Sequence, residues 1–261
     1  MKISKKEIYA AHGIEYKNGK INAPHFGWIN PVLVNGNAKL GKGVWTFSTL
    51  PSTKEFTVDI NGKVWTVNGT CVCDCQGCYA QTGFYNMPSV LASNAIKTIL
   101  ARLALKWLKN AIIAQIKADD IKLCRIHASG DFFCAEYINA WKDIVKACKE
   151  CAFWSYTKNA DAESAFDEFK NANIVKSVIH GFGFNFGTCE YILMVYKALK
   201  AMGKPVYICK CGVDKNQHCV NCKGCSENKY VLFIEHSTAY KAEEDSRFAE
   251  LKAIIESQGN A

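Results

Sequence analysis

The chain has no apolar run fit to cross a membrane. Its longest apolar stretch, Ile99 to Ile116, is broken by Arg102, Lys106 and Lys109 and reads as an amphipathic helix. The start, Met1-Lys2-Ile3-Ser4-Lys5-Lys6, runs into polar sequence with no apolar core, so no signal peptide is expected. The two absences together favour the cytoplasm and no membrane partner. Low-complexity segments and sequence repeats are also missing, which excludes disordered tracts and solenoids. No Walker loop, no Ser-His-Asp order and no groove-reading nucleic-acid motif is found.

What is present is a core and an abundance of thiols. Apolar residues make up 49% of the 261 positions, enough for one main domain with elaborations. The formal charge of +8 permits contact with nucleic acid without demanding it. Fourteen cysteines in a reducing compartment are metal ligands, redox groups or core residues before they are disulfides.

Short apolar runs punctuated by Gly, Asn and Pro make residues 1–70 a β-rich N-terminal region, with Asn61-Gly62 a type I′ hairpin signal. A helix is expected from about Pro88 to Lys117, with Leu100, Leu103, Trp107, Ala111 and Ala114 on one face. Strands then alternate with helices. The strands are Lys122–Ala128, Ala152–Thr157, Ile174–His180, Val206–Lys210 and Tyr230–His236, and the helices Ala135–Glu150, Ala162–Asn171, Cys189–Met202 and Ala239–Ile255. Counted with the strand before Cys71, this predicts an α/β fold with parallel strands, either a partial (β/α)6 barrel or an open sheet, over residues 71–261. A cysteine-rich insertion occupies 209–225.

Cys71, Cys73, Cys75 and Cys78 place four thiols in eight residues, more than one face of a strand or helix can gather. Both zinc and iron–sulfur clusters accept such a set. The later group is Cys209 and Cys211 followed by Cys219, Cys222 and Cys225, with His218 a weaker donor. Its Cys-x2-Cys-x2-Cys run matches the opening of a ferredoxin-type cluster, and zinc is the alternative there. Either Cys209 or Cys211 supplies a fourth thiol. Cys124, Cys134, Cys148, Cys151 and Cys189 are dispersed and read as small buried hydrophobes, with Cys134 close to Asp131.

Ser129-Gly130-Asp131 falls at the carboxyl end of a predicted strand, where ligands collect in α/β sheets. The glycine leaves the backbone open to a ligand, and Asp131 is either a ligand group or a helix cap. Arg125 and His127 alternate along that strand and are expected on one face, His127 as a candidate for proton transfer. Tyr156-Thr157-Lys158 and His180-Gly181 are expected to end the next two strands at the same mouth, with Lys158 able to meet a carboxylate or phosphate.

The triplet Cys71, Cys75 and Cys78 resembles the cluster loop of radical S-adenosylmethionine enzymes. That resemblance implies three cysteines on a [4Fe–4S] cluster whose fourth iron takes S-adenosylmethionine, and one-electron cleavage of the sulfonium. Ser129-Gly130-Asp131 resembles the family's cofactor-binding strand end, and Ser129, Gly130, Asp131 and Tyr79 are expected as cofactor contacts; Asp131, and His127 and Lys158 from their strand positions, are the catalytic candidates. The family's usual aromatic before the third cysteine is Gly77 here, with Tyr79 after it, and Cys73 is extra. If Cys73 is a fourth ligand, the open iron is lost.

Asn37-Ala38-Lys39-Leu40-Gly41-Lys42, Cys75-Gln76-Gly77-Cys78-Tyr79-Ala80, Arg125 to Phe133, Tyr156-Thr157-Lys158 and the late cysteines together resemble a phage protein family named after gene product eighty-eight of a mycobacteriophage. The likeness implies a divergent relative of radical S-adenosylmethionine proteins with two clusters, in a bacterial host's cytoplasm if phage-encoded. It implies no substrate. An enzyme of this kind needs an electron donor. The alternatives are an electron carrier with two closed clusters and a zinc or iron–sulfur module that binds nucleic acid.

Overall fold

The computed structural model describes residues 3–36, 40–75, 78–179, 181, 183–214, 217–222, 224–234 and 246–258. Asn37 to Lys39, Gln76, Gly77, His180, His236 and the predicted start of the last helix at Ala239 lie outside the described residues. No helix among those described is long and apolar enough to cross a membrane.

The N-terminal region opens with a helix, α1 (Lys5–Ala11), which the β-rich expectation missed. Its signal is Ser4-x-x-Glu7, a capping box in which each side chain bonds the other's backbone. A three-stranded meander follows: β1 (Tyr16–Lys17), β2 (Lys20–Ala23) and β3 (Gly27–Ile29). Tyr9, Ile14 and Ile21 from these elements are buried in the same core as Leu100, Ile112, Trp141 and Phe153.

β4 (Val34–Asn35) pairs antiparallel with β5 (Val44–Thr46). The chain runs on extended to Leu50, then makes the hairpin β6 (Glu55–Ile60) and β7 (Lys63–Asn68). Asn61 and Gly62 both have positive φ, 55° and 79°, as a type I′ turn requires. The strand before Cys71 is therefore not the first parallel strand. That place belongs to β5, and the hairpin is inserted between its end and the cysteines.

Two helices follow where one was expected: α2 (Pro88–Leu103) and α3 (Leu105–Ala118). Ala104 breaks the run at φ −143°, ψ 43°. No Gly or Pro marks the break. The two halves serve different partners, since α2 packs on β6 while α3 packs on α1 and the next helix. Leu103, predicted on the apolar face, is left exposed at the break.

β8 (Leu123–Arg125), β9 (Ala152–Thr157) and β10 (Ala172–Lys176) then join β5 in one sheet of order β10-β9-β8-β5-β4. All pairings except β4–β5 are parallel. The crossovers are α2–α3, α4 (Ala135–Ala147) and the short α5 (Ala160–Ala165). β10 ends at Lys176, so Gly181 does not end it, and the chain turns into the small hairpin β11 (Val178–Ile179) and β12 (Gly183–Phe184).

A second parallel sheet has the order β13-β15-β14, built from β13 (Phe186–Gly187), β14 (Val206–Ile208) and β15 (Tyr230–Ile234). α6 (Cys189–Ala201) crosses from β13 to β14, and Gly203 ends it at φ 70°. α6 packs with the last helix, α8 (Ser246–Ser257), over this sheet; α7 (Gly224–Glu227) is a single turn before β15. The two sheets meet where Val175, Tyr207 and Val231 share one apolar cluster. The architecture is mixed α/β with several sheets. Among the described residues, the strands near 206 and 230 pair with each other in their own sheet, and no closed barrel forms.

Candidate functional site

The carboxyl ends of β5, β8 and β9 are tied together by short polar side chains. Ser129 Oγ donates to Thr49 O at 2.9 Å, and Thr49 N donates to Ser129 O at 3.0 Å. Gly130 has φ +84°, and a Cβ there would stand 1.9 Å from Thr49 Oγ1 and 2.5 Å from Thr70 Oγ1. Packing of the two threonines, rather than access for a ligand, therefore demands the glycine. Asp131 is buried, and its own N–H donates to Thr70 Oγ1 at 3.1 Å. Its Oδ1 accepts from Phe132 N at 2.7 Å and Thr157 Oγ1 at 2.6 Å, and its Oδ2 from Lys158 N at 2.8 Å. Burial raises its pKa against the pull of these donors. With three donors in place, one acceptor position of a carboxylate's approximate four remains.

The first cysteine loop lies against these strand ends. Lys158 Nζ stands 2.7 Å from Cys75 Sγ, so one residue joins Asp131 by its backbone and the loop by its ammonium. Burial pushes the Cys71 thiol up to about 12, with Asp131, Cys75 and Cys78 adding to the rise, so these four groups are electrostatic neighbours. Cys71 and Cys75 are half-buried whereas Cys73 is exposed, although Cys73 reaches the Cys75 thiol. Asp74 anchors the loop from outside. It accepts from Ser52 Oγ, from Thr53 N at 3.0 Å and from Thr53 Oγ1 at 2.9 Å. Those bonds, Ser52 first, hold its carboxyl down to about 2. The Tyr79 hydroxyl donates to Ala128 O, and Tyr85 OH donates to the same carbonyl at 3.2 Å.

His127 is not at this mouth. Its φ of +54° breaks the strand alternation, so it does not share a face with Arg125. It packs edge-on to Phe132 at 4.5 Å and near Phe47 and Trp141, with Nε2 2.9 Å from Tyr137 OH. Burial lowers its pKa to about 3, so it stays neutral near pH 7. Nδ1 is buried without a partner. Cys134 flanks α4 as its N-terminal cap residue without a side-chain cap bond, and Cys124, Cys148, Cys151 and Cys189 are buried as expected.

The second cysteine group packs on the face of the first sheet that Val44, Trp154 and Tyr156 present. Cys209 follows β14 and is buried. Tyr207 OH lies 3.0 Å from Cys222 Sγ, and the Cys209 and Cys225 thiols lie near the same phenol. Burial pushes Cys225 up to about 12, beside Tyr156, Cys219 and Cys222. Cys211 Sγ donates to Gln217 O at 3.4 Å. Asn173 on β10 fastens this group by donating to Cys225 O at 2.8 Å and Asn228 O at 2.9 Å.

Between the two groups stands Arg125. Its Nη2 donates to Tyr79 OH at 3.3 Å, and its guanidinium lies 5.5 Å from the Tyr156 ring centre. Burial opposes its charge, the phenols of Tyr79, Tyr156 and Tyr85 and the Cys225 thiol favour it, and the balance raises its pKa. Arg125 Nε and Tyr156 Oη are both shielded from solvent without an oxygen or nitrogen partner.

Among the described residues no three Cys, His, Asp or Glu side chains already converge as a metal shell. The donor chemistry nonetheless fits thiophilic metals. In each group several thiols are close enough to influence one another, on segments of loop and single helical turns, and the half-buried Arg125 lies near Cys225 of the second. The sequence reading missed Tyr207, paired Arg125 with His127 and not with the cysteines, and expected Tyr156 at the strand-end mouth and not beside the second cysteine group. The only signal of that placement is strand alternation, which puts Leu123 and Arg125, and likewise Trp154 and Tyr156, on the face away from the helices.

A family model described as gene product 88 matches residues 31–252, most of the chain. The chain belongs to the gene product 88 family. The match spans the Cys71–Cys78 loop, Ser129 to Asp131, Lys158 and all of the second cysteine group. Neither a curated protein nor a solved structure matches the chain.

Proposed function

We propose that the chain is an iron–sulfur protein of radical S-adenosylmethionine type, with one [4Fe–4S] cluster on Cys71, Cys75 and Cys78 and a second on Cys209, Cys219, Cys222 and Cys225. One observation carries the reading. The first cysteine loop borders the strand end of Ser129 to Asp131, and Lys158 contacts both, its backbone on Asp131 and its ammonium on Cys75. Carboxyl ends of parallel strands are where α/β proteins collect ligands, and a partial barrel in this arrangement would open there. A cluster with an open iron would supply the electron that cleaves a bound sulfonium.

The chain's own residues do the rest. Lys158 offsets thiolate charge at Cys75, and Asp74 holds the loop on Ser52 and Thr53. Asp131 keeps one acceptor position for a cofactor amine. Cys73 lies on the solvent side, which supports the triplet as the ligand set. For the second site, Cys209 rather than Cys211 is the fourth thiol, because it shares the Tyr207 phenol with Cys222 and Cys225.

A second reading rests on Cys73, whose thiol reaches Cys75. As a fourth ligand it would close the cluster and leave an electron carrier or a structural metal protein, with zinc the alternative at the later site. One experiment separates these. Protein purified without oxygen is assayed for iron, sulfide and zinc and by electron paramagnetic resonance, with and without S-adenosylmethionine, in unsubstituted and Cys73→Ser forms. The radical-type reading expects iron and sulfide for two clusters and a spectrum that S-adenosylmethionine perturbs in both proteins. Loss of the first cluster in Cys73→Ser, with no perturbation in the parent, establishes the closed site. Stoichiometric zinc without sulfide ends both iron readings.

A further inference from the structure

We propose that Arg125 is the counter-charge shared by the two cysteine sites, and that Arg125 Nε and the Tyr156 hydroxyl are hydrogen-bond donors to the sulfur atoms of the loaded second site. The inference rests on the iron–sulfur reading above and deepens it.

Arg125 is a half-buried cation without an anion, its Nε closed off from solvent. No carboxylate pairs with Arg125 among the described residues. A guanidinium stays charged in proteins, and withdrawing part of an unpaired charge from water is unfavourable. Burial raises the pKa of the Tyr156 and Tyr85 phenols, so neither supplies an anion near pH 7. Two donors, Arg125 Nε and Tyr156 Oη, are shielded from water and face no oxygen or nitrogen. Buried donors of this kind are rare and call for an acceptor.

An acceptor for both donors has to be anionic and adjacent to each. The Cys225 thiol is the group next to Tyr156 and Arg125. Metal binding removes the thiol proton and leaves sulfur carrying negative charge. Four thiolates on a cluster leave a net negative site, which Arg125 and the two phenols Tyr156 and Tyr207 then surround with donors. Tyr207 already makes the corresponding contact, 3.0 Å to Cys222 Sγ. On its other side, Arg125 Nη2 bonds the hydroxyl of Tyr79, the residue after Cys78. The same cation therefore borders both sites. Donors to cluster sulfurs and nearby positive charge both raise reduction potential. Arg125 then raises the potential of the second cluster most and that of the first by a smaller amount.

The test is a redox titration followed by electron paramagnetic resonance on the full chain, purified without oxygen. Iron, sulfide and zinc in the unsubstituted protein are measured first. Cys209→Ser, which deletes the second signal, assigns the two. Arg125→Gln is expected to shift the second cluster to lower potential and the first by less, with iron content retained. Arg125→Lys, which keeps the charge, recovers most of the shift. Tyr156→Phe lowers the second potential alone. Unchanged potentials in Arg125→Gln with full iron, or a shift confined to the first cluster, overturn the proposal and leave the iron–sulfur reading standing. If Arg125→Gln does not accumulate as folded protein, Tyr156→Phe decides, and an unshifted second potential overturns the proposal. Absence of iron, or zinc in the second site, removes the functional reading for that site and this inference with it.

Discussion

At the scale of single residues, the strand end after β8 is held by contacts whose loss has a definite sign. Gly130→Ala puts a methyl group into the threonine pair and strains a left-handed backbone at φ +84°. The expected cost is roughly 2–4 kcal/mol, read as a lower urea midpoint with unchanged slope. A change under about 0.5 kcal/mol, the range of ordinary surface substitutions, would show that the threonines yield. Asp131→Asn must turn an amide N–H₂ toward at least one of three donors, from Phe132, Thr157 and Lys158. It is expected to destabilise the fold by about 1–3 kcal/mol, whether or not a cofactor is added. A variant of full stability would show that Asp131 does not clamp the strand ends, whatever its effect on cofactor binding. His127 supplies a pH dependence. Its ordinary pKa of 6.5 falls to about 3 on burial, so the unfolded chain takes up the proton first. Its contribution to stability is present above pH 6.5 and is lost as pH falls toward 3. Asn tolerates the left-handed backbone at this position. His127→Asn should therefore flatten the fall in stability across that window, and an unaltered slope in urea titrations would remove His127 as its source.

At the scale of elements, the second cysteine group depends on one buried side chain. Asn173 on β10 donates to the carbonyls of Cys225 and Asn228, which fixes α7 against the first sheet. Asn173→Leu leaves both carbonyls without a donor. It is expected to cost about 1–3 kcal/mol and to release metal from the second site while the first keeps its own. Equal loss from both sites, by metal analysis against chelator, would refute that division. Which elements the sequence revealed follows from how local their signals are. The Asn61-Gly62 hairpin and α6 with its Gly203 stop were legible because turn chemistry and capping act within a few residues. The alternation of strands and helices after Lys122 was legible from its periods. The break at Ala104 was not, because it is set by α2 and α3 packing on different partners. Nor was the role of β5, since its partner β8 lies far along the chain with an inserted hairpin between. Among site residues, the thiols announced themselves by density. Arg125 did not, because an isolated strand arginine acquires meaning only from what the fold sets around it.

At the scale of the whole molecule, the two cysteine groups, far apart in sequence, occupy neighbouring parts of one sheet. The first lies at the strand ends, bound to Asp131 through Lys158, and the second packs on the face carrying Trp154 and Tyr156. Each group is fastened by its own polar anchors, Asp74 on Ser52 and Thr53 for the first and Asn173 for the second. Metal occupancy should accordingly divide by site. Cys71→Ser removes a half-buried thiol of the first triplet, and Cys209→Ser a buried thiol of the second group. Each is expected to halve the iron and sulfide content, and the double variant to abolish it. Cys211→Ser separates geometry from mere cysteine count. Its thiol is engaged with Gln217 O, so this variant should keep full iron. Quantitative iron and sulfide analysis of the four proteins checks the set. If Cys211→Ser loses half its iron while Cys209→Ser keeps it, the ligand assignment inverts. If either Cys71→Ser or Cys209→Ser empties both sites, the two groups assemble as one centre, and the division of the molecule into two separately anchored sites is wrong.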